Sequence, residues 1–227
     1  MAHLDLEEQE QIDRLKHFWQ RYGQIISSVL LVILLALAGW NAYQYWQRHQ
    51  ATQAAALFDE VERFAREGDT AKLQRALTDI QSKFASTLYA QQAALLSAQI
   101  FVSQNQPDLA IAALKWVTDQ SADESYRSVA RLRWAGLLLD NKSYDEALRV
   151  LSAPFPKSFE ALAADRKGDV FSVQGQTAQA VEAYQAAYSG LSVALGEDAS
   201  GGTTSEYKRL VDVKLAALGA ASPGAAK

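Results

Sequence analysis

Hydrophobic and polar positions divide this chain into two regimes. Between Arg21 and Arg48 run 26 residues without a charged side chain, and their centre, Ile25 to Leu37, is almost wholly Ile, Leu, Val, Ala and Ser. As a helix rising about 1.5 Å per residue, Gly23 to Trp46 is long enough to cross a hydrocarbon core of roughly 30 Å. The pattern predicts a transmembrane helix over 22–47. Trp19 and Tyr22 flank one end, and Trp40, Tyr43, Tyr45 and Trp46 the other, as expected of amphipathic rings at lipid–water boundaries. A cleaved secretory signal is the rival, since Ala36-Leu37-Ala38 fits a small-x-small cleavage pattern. The preceding segment is too long and too acidic for that reading, with Asp5, Glu7, Glu8, Glu10 and Asp13. Cleavage after Ala38 would also cut within the uncharged helix. The segment therefore reads as an uncleaved anchor in a lipid bilayer.

From Ala51 onward the pattern changes. Ala, Leu, Gln, Glu and Arg dominate, and Gly and Pro fall between apolar runs rather than inside them, which predicts an all-α domain. Breaks near Gly68-Asp69, Asn105-Gln106-Pro107, Asn141-Lys142-Ser143, Pro154 to Pro156 and Gly175-Gln176 leave segments of helix length for antiparallel hairpins. Three of these segments align. Ala98, Ala135 and Gly168 each precede by 12 positions an alanine, respectively Ala110, Ala147 and Ala180. Three residues after each first small residue comes Phe101, Leu138 or Phe171, and four after each alanine comes Leu114, Leu151 or Tyr184. Such spacing describes two helices that cross closely where small residues meet, with larger side chains wedged beside the contact. One hairpin cannot bury its face alone, so a period near 34 signals a helical solenoid.

Ala51 to Ala85 reads as another hairpin around Gly68, with Leu57, Val61 and Phe64 on one face and Leu73, Leu77, Ile80 and Phe84 on the next. It does not fit the repeat and is taken as an irregular first cap. Gly196 to Gly202 reads as a flexible loop. Thr203 with Glu206 forms a capping box opening a last helix, whose apolar side (Tyr207, Leu210, Val211, Leu215, Leu218) closes the stack. The domains expected are an N-terminal segment 1–21, the membrane helix 22–47, a helical domain 48–218 and a disordered tail 219–227.

Charge and composition narrow the chemistry. Basic residues Arg14, Lys16 and Arg21 precede the anchor, against Arg48 and Arg63 after it, a bias toward a cytoplasmic amino terminus and an exported carboxyl-terminal domain. Residues 51–227 carry 18 Lys plus Arg and 21 Asp plus Glu, without a basic run interleaved with aromatics. The electrostatic footprint for nucleic acid is missing. No cysteine occurs, which excludes disulfides, thiol nucleophiles and a lipidated anchor. The histidines, His3, His17 and His49, all precede the exported domain, so a Ser-His-Asp arrangement or a His-bound metal is not available there. Asp165 and Asp169, four apart on one helix face, are the one carboxylate pair of interest. An enzyme relying on them alone is a remote alternative to an acidic surface. No cofactor is expected.

The repeat, with Asn141-Lys142-Ser143-Tyr144-Asp145-Glu146-Ala147 turning into its second helix, resembles the tetratricopeptide repeat. In that family the first helix of each hairpin lines a groove. Carried over, the resemblance implies a wall made by Leu95, Gln99 and Val102, then Val129, Leu132, Gly136 and Leu139, then Leu162, Asp165, Asp169 and Ser172. Such a wall is apolar with one acidic end, suited to an extended or helical peptide. The single membrane helix ending Asn41-Ala42-Tyr43-Gln44-Tyr45-Trp46, the hairpins and the closing helix together resemble the YfgM family, ancillary subunits of the bacterial SecYEG translocon. That resemblance implies an inner-membrane protein with a periplasmic domain. It further implies association with SecYEG and the membrane-anchored chaperone PpiD, and the passing of translocating or unfolded polypeptides to periplasmic chaperones. An envelope scaffold or stress-response regulator that binds one folded partner is the alternative.

Overall fold

The computed structural model describes residues 6–195 and 203–223. Among the described residues the chain is helical throughout: α1 (Leu6–Glu67), α2 (Thr70–Phe84), α3 (Leu88–Ser103), α4 (Pro107–Gln120), α5 (Glu124–Asp140), α6 (Tyr144–Ser152), α7 (Lys157–Val173), α8 (Thr177–Leu195) and α9 (Thr203–Ala217). The chain divides between Thr52 and Gln53 into two compact units.

The first unit contains the apolar part of α1, which is long and apolar enough to cross a membrane and is unburied within the protein. Leu31, Leu34 and Leu35 are each more than half exposed. A stripe of aliphatic side chains bare on every face has no protein core to enter, so hydrocarbon is its matching solvent. This is consistent with a single-pass anchor.

In the second unit, hairpins α3/α4, α5/α6 and α7/α8 stack in sequence order, and α9 packs on α8. The small residues of the repeat lie at the helix crossings: Ala98 is 2% exposed, and Ala110, Ala135, Ala147 and Ala180 are fully buried. At Gly168 the approach is closest. A Cβ there would stand 2.5 Å from the Tyr184 ring, so glycine alone admits that ring.

The first helix of each hairpin ends in one recurring turn. Asn105, Lys142 and Gly175 have φ of 57°, 61° and 73°. In each case the next amide reaches back to the carbonyl of Phe101, Leu138 or Phe171, at 2.8, 2.8 and 2.9 Å. These are left-handed helix terminations that satisfy otherwise orphaned carbonyls. Asparagine and glycine tolerate that conformation, and Lys142 occupies it at some backbone cost.

The same turn closes α1. Gly68 has φ of 70°, and the Asp69 amide reaches the Phe64 carbonyl at 3.2 Å. From Gly68 to Asn105 is 37 residues, as from Asn105 to Lys142, and from Lys142 to Gly175 is 33. The end of α1 with α2 is therefore a further member of the stack, correcting the expectation of an irregular cap. At the crossing positions it carries Val61 and Leu73, both fully buried, in place of small residues. Asp69 caps α2 by accepting the Lys72 amide at 3.0 Å.

The expected loop 196–202 and the Thr203 side chain lie outside the described residues, as do 1–5 and 224–227. The tail differs from expectation at its start. Gly219, with φ of 73°, ends α9 in the same way, its amide and that of Ala220 bonding Ala216 and Leu215 at 3.0 Å, and Ala220 packs on the last apolar cluster.

Ala147 is fully buried where α6 meets α5. Ala147→Trp is expected to destabilise the domain by about 1–3 kcal/mol through overpacking, read as a lowered midpoint in helical dichroism of the full chain in detergent. An unchanged midpoint would place Ala147 away from a helix crossing.

Candidate protein-interaction groove

A groove of about 490 Å³ runs across the first helices of three hairpins. Ala98, Gln99 and Val102 come from α3, Arg133, Gly136, Leu137 and Asp140 from α5, and Arg166 from α7. The size is typical of a site for a small ligand or a short stretch of chain. Val102 is 45% exposed, a branched apolar side chain presented to solvent in the groove.

Of the residues expected on this wall, Gln99, Val102 and Gly136 meet in the groove. Leu95 packs against the core shared by α2, α3 and α4, while Leu132 and Leu139 pack around Ala135 and Leu138. Val129, Leu162 and Ser172 are half-buried outside the groove lining.

The acidic end is arranged differently from expectation. Asp165 is 2% exposed and sits under α9. Its carboxylate accepts the Tyr207 hydroxyl at 2.5 Å and Lys214 Nζ at 2.8 and 3.0 Å. Asp169 accepts Lys214 Nζ at 2.6 Å, the Tyr184 hydroxyl at 2.9 Å and Arg166 Nη1 at 3.3 Å. Lys214 Nζ also lies 5.3 Å from the centre of the Tyr184 ring. A buried carboxylate is tolerated when its lone pairs are met by charged and hydroxyl donors, and here those donors come from the closing helix. The pair therefore fastens α9 to α7 and is not an open acidic wall.

Burial, reinforced by the neighbouring Asp169 carboxylate, pushes the Tyr184 hydroxyl well above its ordinary pKa. Burial and the hydrogen bond to Asp165 do the same to Tyr207. Both rings thus stay protonated and able to donate.

Four groove residues escaped the sequence reading: Arg133, Leu137, Asp140 and Arg166. A signal for the arginines existed, because Arg133 and Arg166 are 33 apart, the same spacing as Leu132 to Asp165, and so occupy equivalent repeat positions. They lie one residue off the predicted helix face. Their long stems bring the guanidinium groups over the groove, which a short side chain at that position could not do.

A family model for the tetratricopeptide repeat-like domain matches residues 16–220. The ancillary SecYEG translocon subunit of Neisseria gonorrhoeae is 31% identical over 180 residues, covering 79% of this chain and 86% of that protein. Proteins of the same description from Haemophilus influenzae and Escherichia coli are each 28% identical over 185 residues. They cover 80% and 79% of this chain, and 89% and 86% of their own lengths. No solved structure matches the chain.

A Cβ at Gly136 would meet nothing nearer than Arg166 Cζ at 3.9 Å. Gly136→Ala should therefore stabilise the domain by about 0.4–1 kcal/mol, whereas Gly168→Ala should destabilise it by about 1–3 kcal/mol against the Tyr184 ring. Opposite signs in paired denaturation curves are the expected result.

Lys214→Ala leaves Asp165 buried with one hydroxyl donor and should cost on the order of 3 kcal/mol, with early hydrogen exchange confined to α9. For the two tyrosines the folded pKa is raised, so their contribution is complete below the ordinary tyrosine value of 10.0 and is lost as pH climbs beyond it. Exchange in α9 should accelerate in the same alkaline range.

Proposed function

The chain belongs to the tetratricopeptide repeat-like family of ancillary SecYEG translocon subunits, and from that membership we propose that it serves the translocon as a membrane-anchored binding module. In this reading the amino terminus is cytoplasmic and the hairpin domain lies in the periplasm. The groove over α3, α5 and α7 receives translocating or unfolded polypeptides and passes them to periplasmic chaperones, with PpiD as the membrane-anchored partner. The action is binding rather than catalysis.

The observation that carries the reading is the open groove across successive hairpins in a chain that also has an apolar anchor helix. A domain tethered to the membrane meets newly exported chains at high effective concentration, so weak contacts repeated along the groove suffice to retain them. The basic residues before the anchor support the orientation.

A photo-crosslinking residue placed at Gln99 or Val102 of the full chain in living cells tests this. The expected products are many exported polypeptides, formed only while translocation proceeds. One product of fixed mass that persists after translocation is halted would replace the reading with an envelope scaffold for a single folded partner.

A further inference from the structure

Gly136 has no packing reason to be glycine. In the interior of a helix, glycine is less favourable than alanine by roughly 1 kcal/mol. Gly168 is required by the Tyr184 ring, and Gly190 lies close against Ala161, whose Cβ would stand 3.0 Å from an added Cβ. At Gly136 the nearest atom is Arg166 Cζ at 3.9 Å, leaving an open floor below the guanidinium groups.

Those groups retain unused donors. Arg133 is exposed and has no carboxylate partner among the described residues, and its Nη1 reaches the Leu95 carbonyl at 3.4 Å, near the limit for a hydrogen bond. Arg166 spends one nitrogen on Asp169 at 3.3 Å, and that carboxylate is already bonded by Lys214 and Tyr184. The carboxylates that would have made this end acidic are held by α9. Asp140, four residues after Gly136, is the carboxylate among the groove's lining residues.

Resting on the polypeptide-binding reading above, we propose that this groove selects an internal, acidic segment of chain. A Glu or Asp side chain of the bound segment reaches Arg133 and Arg166 across the bare backbone of Gly136, while a small apolar side chain lies against Ala98 and Val102. Guanidinium forks suit a carboxylate because two parallel N–H donors meet its two oxygens. Asp140 repels a second acidic residue at the other end of α5's contribution, which fixes where the acidic side chain sits.

The test titrates the full chain, in nanodiscs of neutral lipid, with short Ala- and Val-rich peptides blocked at both ends. One peptide carries glutamates and the other glutamines at the same positions. The expected result is about tenfold tighter binding of the glutamate peptide at low salt, a preference that shrinks as salt screens it. Arg133→Gln should abolish the preference, and Gly136→Leu should abolish binding of both peptides with helical dichroism unchanged.

Equal affinity for the two peptides, lost in Gly136→Leu, overturns the acidic selection and leaves the groove as a polypeptide site. Absence of binding by either peptide overturns both readings. Binding indifferent to Arg133→Gln and Gly136→Leu puts the site elsewhere and overturns the assignment. A glutamine peptide with a free carboxyl terminus that matches the glutamate peptide would replace internal-segment binding with capture of chain ends.

Discussion

A helical hairpin rich in alanine presents apolar surface to both of its neighbours, and this is the constraint on which the helical domain depends. Each hairpin is stable because the next one covers it, so the stack must end in something that does not demand another hairpin. The close crossings at Ala98, Ala110, Ala135, Ala147 and Ala180 join the two helices of each hairpin, and the second helix of one hairpin then covers the first helix of the next. At the last hairpin the problem is solved with charge as well as apolar area. Val211 and Leu215 of α9 fill the cluster around Ala180 and Ala187, and Lys214 meets the two carboxylates of α7.

That arrangement decides the electrostatics of the groove. Asp165 and Asp169 follow the repeat and were expected on its open wall, yet they are consumed in holding the closing helix. What remains on the wall is Arg133, Arg166 and a single lining carboxylate, Asp140. A surface expected to be apolar with an acidic end is instead apolar with guanidinium groups above a glycine floor. The charge that this end of the wall offers changes sign accordingly, from negative to positive.

Much of the fold is legible in the sequence because its signals are local. Periodicity marks the helices, the breaks mark the turns, and the pairs of small residues mark three crossings. The first hairpin is legible as a hairpin but not as a member of the repeat, because Val61 and Leu73 replace small residues, although the left-handed turn at Gly68 keeps the interval seen at Asn105 and Lys142. The site is less legible. Tyr207 and Lys214 reach Asp165 across 42 and 49 residues, and no periodic pattern records such a meeting. Arg133 and Arg166 were passed over because a helical wheel treats side chains as points, whereas these reach sideways from a flanking position.

The spacing of the left-handed turns has a further consequence. Two intervals are 37 residues and the third is 33, and α6, at 9 residues against 14 for α4, is where the shorter hairpin loses length. The helix is five residues shorter, and the connection 153–156 is one residue longer than 121–123, which together make the four-residue difference. Because Ala153 to Pro156 break the helix, the length lost from α6 is not passed to α7 as a rotation about a shared axis: this hairpin can shorten while the faces of the next one keep their own packing.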